Sequence, residues 1–210
     1  MGGNAEMDKT SQHFAPAANN MDKYNAYQEN FKKYNTAMKH EFYLEALWIL
    51  YAMAEDRTSA FLYHLGFTNG KVRSKVCKRI SEDARSIFRI EKGRNYGLDS
   101  LGGKTRNIMA LLEWVQTETQ ENESDFKKAV REKFSAFGEL SVLRETVSKL
   151  DAWRGKRNEL AHGLLTKDYA VVSQHLKTLV EDAHKTVRDF DGAVRKIKKG
   201  KNIRTKLNLQ

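Results

Sequence analysis

Between residues 21 and 199 apolar side chains recur at spacings of three and four, the period of an α-helix. Over 21–39 the aromatics Tyr24, Tyr27, Phe31 and Tyr34 fall on one helical stripe, a packing face or, as the alternative, a base-stacking platform. Over 40–65, Phe42, Leu44, Ala46, Leu47, Ile49, Leu50, Met53, Ala54, Phe61 and Leu62 are apolar on more than one side, which predicts a central helix ended by Gly66. Its charged positions Glu45, Glu55, Asp56 and Arg57 need partners if buried, so they either brace an arginine or histidine of a site or form exposed ion pairs. Residues 71–91 predict a helix with Val72, Val76, Ile80, Ile87 and Phe88 inward. Its outward lysines and arginines read as an RNA track or as an ordinary solvated face.

Gly93, Gly97, Gly102 and Gly103 mark a loop of about ten residues. Helical patterns follow over 108–119 and 126–153, separated by an acidic turn over 118–125. A last helix over 168–199 places Val171, Leu176, Leu179, Val180, Ala183, Val187, Phe190, Val194 and Ile197 inward. No internal repeat or long linker interrupts this order, and the expected fold is all-α, a bundle of four to five main helices. Residues 1–20, with Pro16 and no period, read as a disordered leader, residues 21–194 as the helical domain and residues 195–210 as a basic tail.

Composition narrows the partners. At 210 residues the chain suits one well-packed domain, and a single proline fits a helical one. With 37 basic against 27 acidic residues the net charge is +10, which points to polyanions, nucleic acid before an acidic membrane surface. No stretch approaches the roughly 18 apolar residues of a membrane span, and no secretory signal opens the chain, so a cytoplasmic protein without a membrane partner is expected. Glu6 stands where acylation at Gly2 would want serine or threonine. One cysteine, Cys77, excludes an intramolecular disulfide and a cysteine-rich zinc site, and reads as a small buried or half-buried side chain. His13, His40, His64, His162, His175 and His184 form no HExxH and no metal spacing, so neither metal nor cofactor is implied. Gly102-Gly103-Lys104-Thr105 ends like a phosphate-binding loop, but Leu98 occupies the first glycine position and no β-branched strand precedes it, which sets an ATPase aside.

The remaining chemistry sits in Arg157-Asn158-Glu159-Leu160-Ala161-His162-Gly163. Arginine is a permanently charged fork matched to phosphate, and histidine takes and gives protons near neutral pH. Arginine with histidine five residues on is close to what chance supplies. Arg-Asn also occurs at 94 and 106, yet only the copy at 157 has a histidine at that distance. On a helix Asn158 and His162 share a face, so the carboxamide can touch the imidazole, while Leu160 and Ala161 anchor the turn and Gly163 caps it.

Arg157-Asn158-x-x-x-His162 near the end of an all-α domain resembles the signature of the HEPN superfamily: arginine, a polar residue, then histidine four to six residues after the arginine. The apolar helix bearing Glu45, Glu55, Asp56 and Arg57 is similar to the early helix of abortive-infection-type members, with Glu55 and Asp56 as supporting residues. The likeness covers residues 40–190 as a helix pattern, and its specificity rests on 157–163. It implies a homodimer in which two motifs face each other and form one metal-independent ribonuclease site, in anti-phage defence or as a toxin. Arg157 would neutralise the scissile phosphate, Asn158 position it or the imidazole, and His162 act as general acid or base. The substrate would be tRNA or other single-stranded RNA, left with 2′,3′-cyclic phosphate ends. Where adenylylated toxin members carry a tyrosine two residues after the histidine, this chain has Leu164, which argues against that regulation and leaves another antitoxin or a regulatory RNA. Lys156 and the tail cations Arg195, Lys196, Lys198, Lys199, Lys201, Arg204 and Lys206 are the candidate RNA contacts. The alternative is a non-catalytic helical module that binds RNA or protein.

Overall fold

A computed structural model describes residues 20–67, 75–91, 97–118, 121–135, 137–163 and 168–199, together with Ile203 and Leu207. The leader, Leu164, Lys201, Arg204 and Lys206 lie outside the described residues, as do the side chains of Val72, Val76, Cys77 and Ile80. Among the described residues the chain is all-helical: α1 Asn20–Lys39, α2 Tyr43–His64, α3 Lys75–Phe88, α4 Leu101–Val115, α5 Asp125–Ser135, α6 Leu140–Gly163 and α7 Tyr169–Lys198. That is two or three more helices than the expected count.

Helices α2, α7, α6 and α4 close a ring in which each packs on the next, with α1 on the outside of α2 and α3 against α4 and α5. Burial of periodic apolar faces drives this arrangement. On α7 the buried row is Val172, Leu176, Leu179, Val180, Ala183, Val187, Phe190, Val194 and Ile197. The expected row began one residue early: Val171 is 52% exposed and Val172 buried, because Asp168 fixes the start of the helix by accepting from the amides of Ala170 and Val171 at 2.9 and 3.2 Å. On α2, Phe42 likewise falls outside the helix and is exposed, and Tyr43 takes the buried place. In α1, Tyr34 is buried and Tyr24 exposed, so the aromatic stripe is a packing face along only part of its length.

The pattern read as one helix over 126–153 is two. Gly138 has φ +81°, a left-handed backbone that ends the run after α5, and α6 starts again at Leu140. The predicted glycine loop also divides differently. Ser100 caps α4 by accepting from the Gly103 amide at 3.2 Å, so Gly102 and Gly103 belong to the first turn of a helix. Gly103 is a glycine for space, since a Cβ there would stand 1.6 Å from the Gly97 carbonyl oxygen, while a Cβ on Gly102 would only displace the Arg154 guanidinium, 2.9 Å away. Lys104 and Thr105, which end the phosphate-loop lookalike, tie helices together. Lys104 pairs with Glu55 of α2 at 3.1 Å, and the Thr105 hydroxyl donates to Asp151 of α6 at 2.8 Å.

Candidate active site on the last turns of α6

The motif lies inside α6, not beyond a helix ending near Trp153. Trp153 is buried beneath it, its indole nitrogen without a hydrogen-bond partner among the described residues. One turn on, the Arg157 side chain crosses to α2. Its guanidinium carbon lies 4.2 Å from the centre of the Trp48 ring and 4.4 Å from that of Tyr51. The two rings meet edge-on at 6.2 Å, and Tyr51 leans on Trp153 at 6.2 Å. Arginine is attracted to both ring faces, so this corner fixes the fork in place. The fork also donates to Asn158 Oδ1 at 2.9 Å.

Helix geometry separates the third residue. Asn158 and His162 share a face four residues apart, whereas Arg157 and His162 point about 140° apart around an unbroken helix. His162 is exposed in the last turn, and among the described residues no hydrogen bond or ring contact holds it. The structure therefore joins Arg157 to Asn158 and leaves the imidazole open to solvent. Leu160 is half-buried against the core, as an anchoring residue should be.

Behind the corner runs a charged network. Glu55 takes the Lys104 ammonium, and it lies close enough to Tyr51 to act on its hydroxyl. Burial first, and the Glu55 charge second, raise the Tyr51 hydroxyl above its usual range, with Arg157 and Arg154 pulling the other way. Asp151 accepts from Arg154 at 3.0 Å and from Thr105. Burial alone would raise its carboxyl, but these hydrogen bonds and the Arg154 charge outweigh burial and hold it below the usual carboxylate range.

The two expected supporting carboxylates part company. Glu55 faces the site's network, one turn from Tyr51. Asp56 is turned to another: it accepts from the Tyr27 hydroxyl at 2.7 Å and from Arg57 Nε at 3.0 Å, while Arg57 reaches Asp191 of α7 at 3.2 Å and lies 4.3 Å over the Tyr27 ring. Asp56 thus helps fasten α1, α2 and α7 and does not brace Arg157.

The candidate RNA contacts also spread out. Lys156 is exposed beside Arg157. Arg195 and Lys196 are not tail but the last turn of α7, where Arg195 pairs with Asp191 at 2.7 Å and Lys196 sits 5.4 Å from the Phe137 ring. Lys198 and Lys199 are exposed, and the carbonyls of Ile197 and Lys199 accept from Lys133 at 3.2 and 2.8 Å. Beyond them Ile203 is buried in the core. Because Lys196 meets Phe137 just before α6 begins, this basic cluster sits at the opposite end of α6 from His162, about 30 Å away along the axis.

Trp48, Tyr51 and Arg154 were not singled out by sequence, and Lys104 was only as part of the phosphate-loop lookalike. The signal available was an aromatic pair three residues apart, Trp48 and Tyr51, with Glu55 one turn further on the same helix. Among the described residues no group of three or more histidine, cysteine, aspartate or glutamate side chains could hold a metal ion. Compared with protein-family models, curated proteins and solved structures, the chain matches none.

Proposed function

We propose that the chain is a metal-independent endoribonuclease of HEPN type, acting on single-stranded RNA, tRNA among the candidates, in anti-phage defence or as a toxin. The observation that carries this reading is the Arg157 fork, held between Trp48, Tyr51 and Asn158 one turn before an open His162. A guanidinium held in place before substrate arrives neutralises phosphate charge without further reorganisation. Its hydrogen bond to Asn158 gives that residue the role of setting the fork. A histidine takes the proton from the ribose 2′-hydroxyl, the 2′-oxygen bonds to the phosphorus of the adjacent 3′-phosphate as the bond from phosphorus to the 5′-oxygen breaks, and an imidazolium gives a proton to that 5′-oxygen, giving a 2′,3′-cyclic phosphate and a 5′-hydroxyl.

The wide angle between Arg157 and His162 on one helix favours a site completed by a second copy, whose His162 would approach this Arg157. No helix of the described residues is long and apolar enough to cross a membrane. The test is cleavage of a panel of single-stranded RNAs and tRNA by wild type, Arg157→Ala and His162→Ala. Each variant is expected to lose about a hundredfold or more in rate with the dimer intact, and DNA of the same sequences to stay whole. The second reading, a non-catalytic module in which Arg157 is structural, draws on the same aromatic corner. It predicts that RNA stays uncut and that binding survives both substitutions.

A further inference from the structure

Trp48 is 53% exposed although Arg157 lies over its ring. An exposed indole alone means little. This one is held by the guanidinium and by an edge-on Tyr51, so its open side is a flat surface of fixed orientation. Exposed Lys156 adds positive charge on the adjoining turn of α6, in a chain of net charge +10. The base and phosphate of one nucleotide are separated by a single sugar. An indole touching the guanidinium is therefore within reach of the base whose phosphate that guanidinium holds.

We propose that Trp48 stacks an unpaired base of single-stranded RNA next to the phosphate at Arg157; this rests on the reading that Arg157 binds phosphate. The assignment gives a use to a large aromatic left open on a helix that buries Leu47, Leu50, Met53, Phe61 and Leu62. It also restricts the substrate to strands with a free base, since the bases of a duplex are already stacked on each other.

The experiment measures binding by the full chain, not cleavage. The probes are an uncleavable 2′-O-methyl hexaadenylate and a chain with the same sugars and phosphates but no bases. Wild type is expected to bind the first about tenfold more tightly or better, the effect of one stacked base. Trp48→Ala should abolish that preference and Trp48→Phe should retain part of it. Equal loss of affinity for both probes in Trp48→Ala overturns the proposal, because Trp48 would then be only a shelf for Arg157. Equal binding of both probes by wild type overturns it too. If Trp48→Ala fails to fold, quenching of wild-type tryptophan fluorescence by hexaadenylate and not by the baseless chain supports stacking, and its absence overturns it. A Trp48→Ala variant that keeps the base preference but changes from dimer to monomer overturns it by placing a second copy on the indole. Base preference without any RNA cleavage leaves stacking standing and removes the ribonuclease reading. Cleavage without base preference does the reverse.

Discussion

Arginine is a permanently charged side chain, so what the surroundings of Arg157 control is direction. Two rings and one carboxamide oxygen do this, and all three contacts use the planar fork. Lysine in its place keeps the charge and loses the fork. Arg157→Lys is therefore expected to lower RNA cleavage about a hundredfold while thermal melting stays within a few degrees of wild type. Retention of more than a tenth of the rate would mean that a point charge suffices. The motif was legible because arginine, asparagine and histidine announce their chemistry at short spacing. Trp48 and Tyr51 were not, because an aromatic residue on a mostly apolar helix looks like core until its partner on another helix is known. Glu55 and Asp56 differ for a similar reason: adjacent residues on a helix point about 100° apart, so one faces α4 and the other α1.

At the scale of elements, glycine was the least legible residue. The pattern of Gly97, Gly102 and Gly103 reads as a loop, but only the first lies before α4; the Ser100 cap puts the other two in its first turn, where the Gly97 carbonyl leaves no room for a side chain on Gly103. Gly103→Ala is thus expected to destabilise the protein by about 2–3 kcal/mol through overpacking, where alanine in an open helix would stabilise it. Urea unfolding followed by circular dichroism measures this, and a midpoint equal to or above that of wild type would contradict the crowding at Gly97. Of the ring's helices, α2 and α7 were legible nearly to their ends, since period alone defines them, and the Asp168 cap moved the start of α7 by one residue, whereas α4 starts seven residues before its expected place and α6 was merged with α5 and cut short of the motif. The break at Gly138 was hidden by apolar residues that keep a helical period on both sides of it.

At the scale of the whole molecule, α1 is fastened by two clusters of polar and aromatic contacts. One is Tyr27 with Asp56, Arg57 and Asp191; the other is His184 of α7, stacked on Tyr34 at 4.8 Å and edge-on to Phe31 at 6.1 Å. Burial first, and the Arg188 charge second, hold His184 below its usual pKa. The unfolded chain takes up a proton there near pH 6.5 and the folded chain only at lower pH. This contribution to stability is complete above that pH and is lost as pH falls through the interval between the two values. The urea midpoint of wild type is expected to drop between pH 7.5 and pH 5.5, and His184→Gln to flatten that drop; an unchanged slope in the variant would rule His184 out as its source. The same scale sets the reach of RNA. With the α7 cations about 30 Å from His162 along α6, a strand that touches both must run the length of the bundle.

The central claim, that Arg157, Asn158 and His162 cleave RNA without a metal, is tested most directly by the ends it leaves. Wild type incubated with single-stranded RNA in excess EDTA is predicted to yield fragments with 2′,3′-cyclic phosphate and 5′-hydroxyl ends by mass spectrometry, and folded His162→Ala to yield none. Intact RNA from folded, dimeric wild type, or the same fragments from His162→Ala, would contradict it.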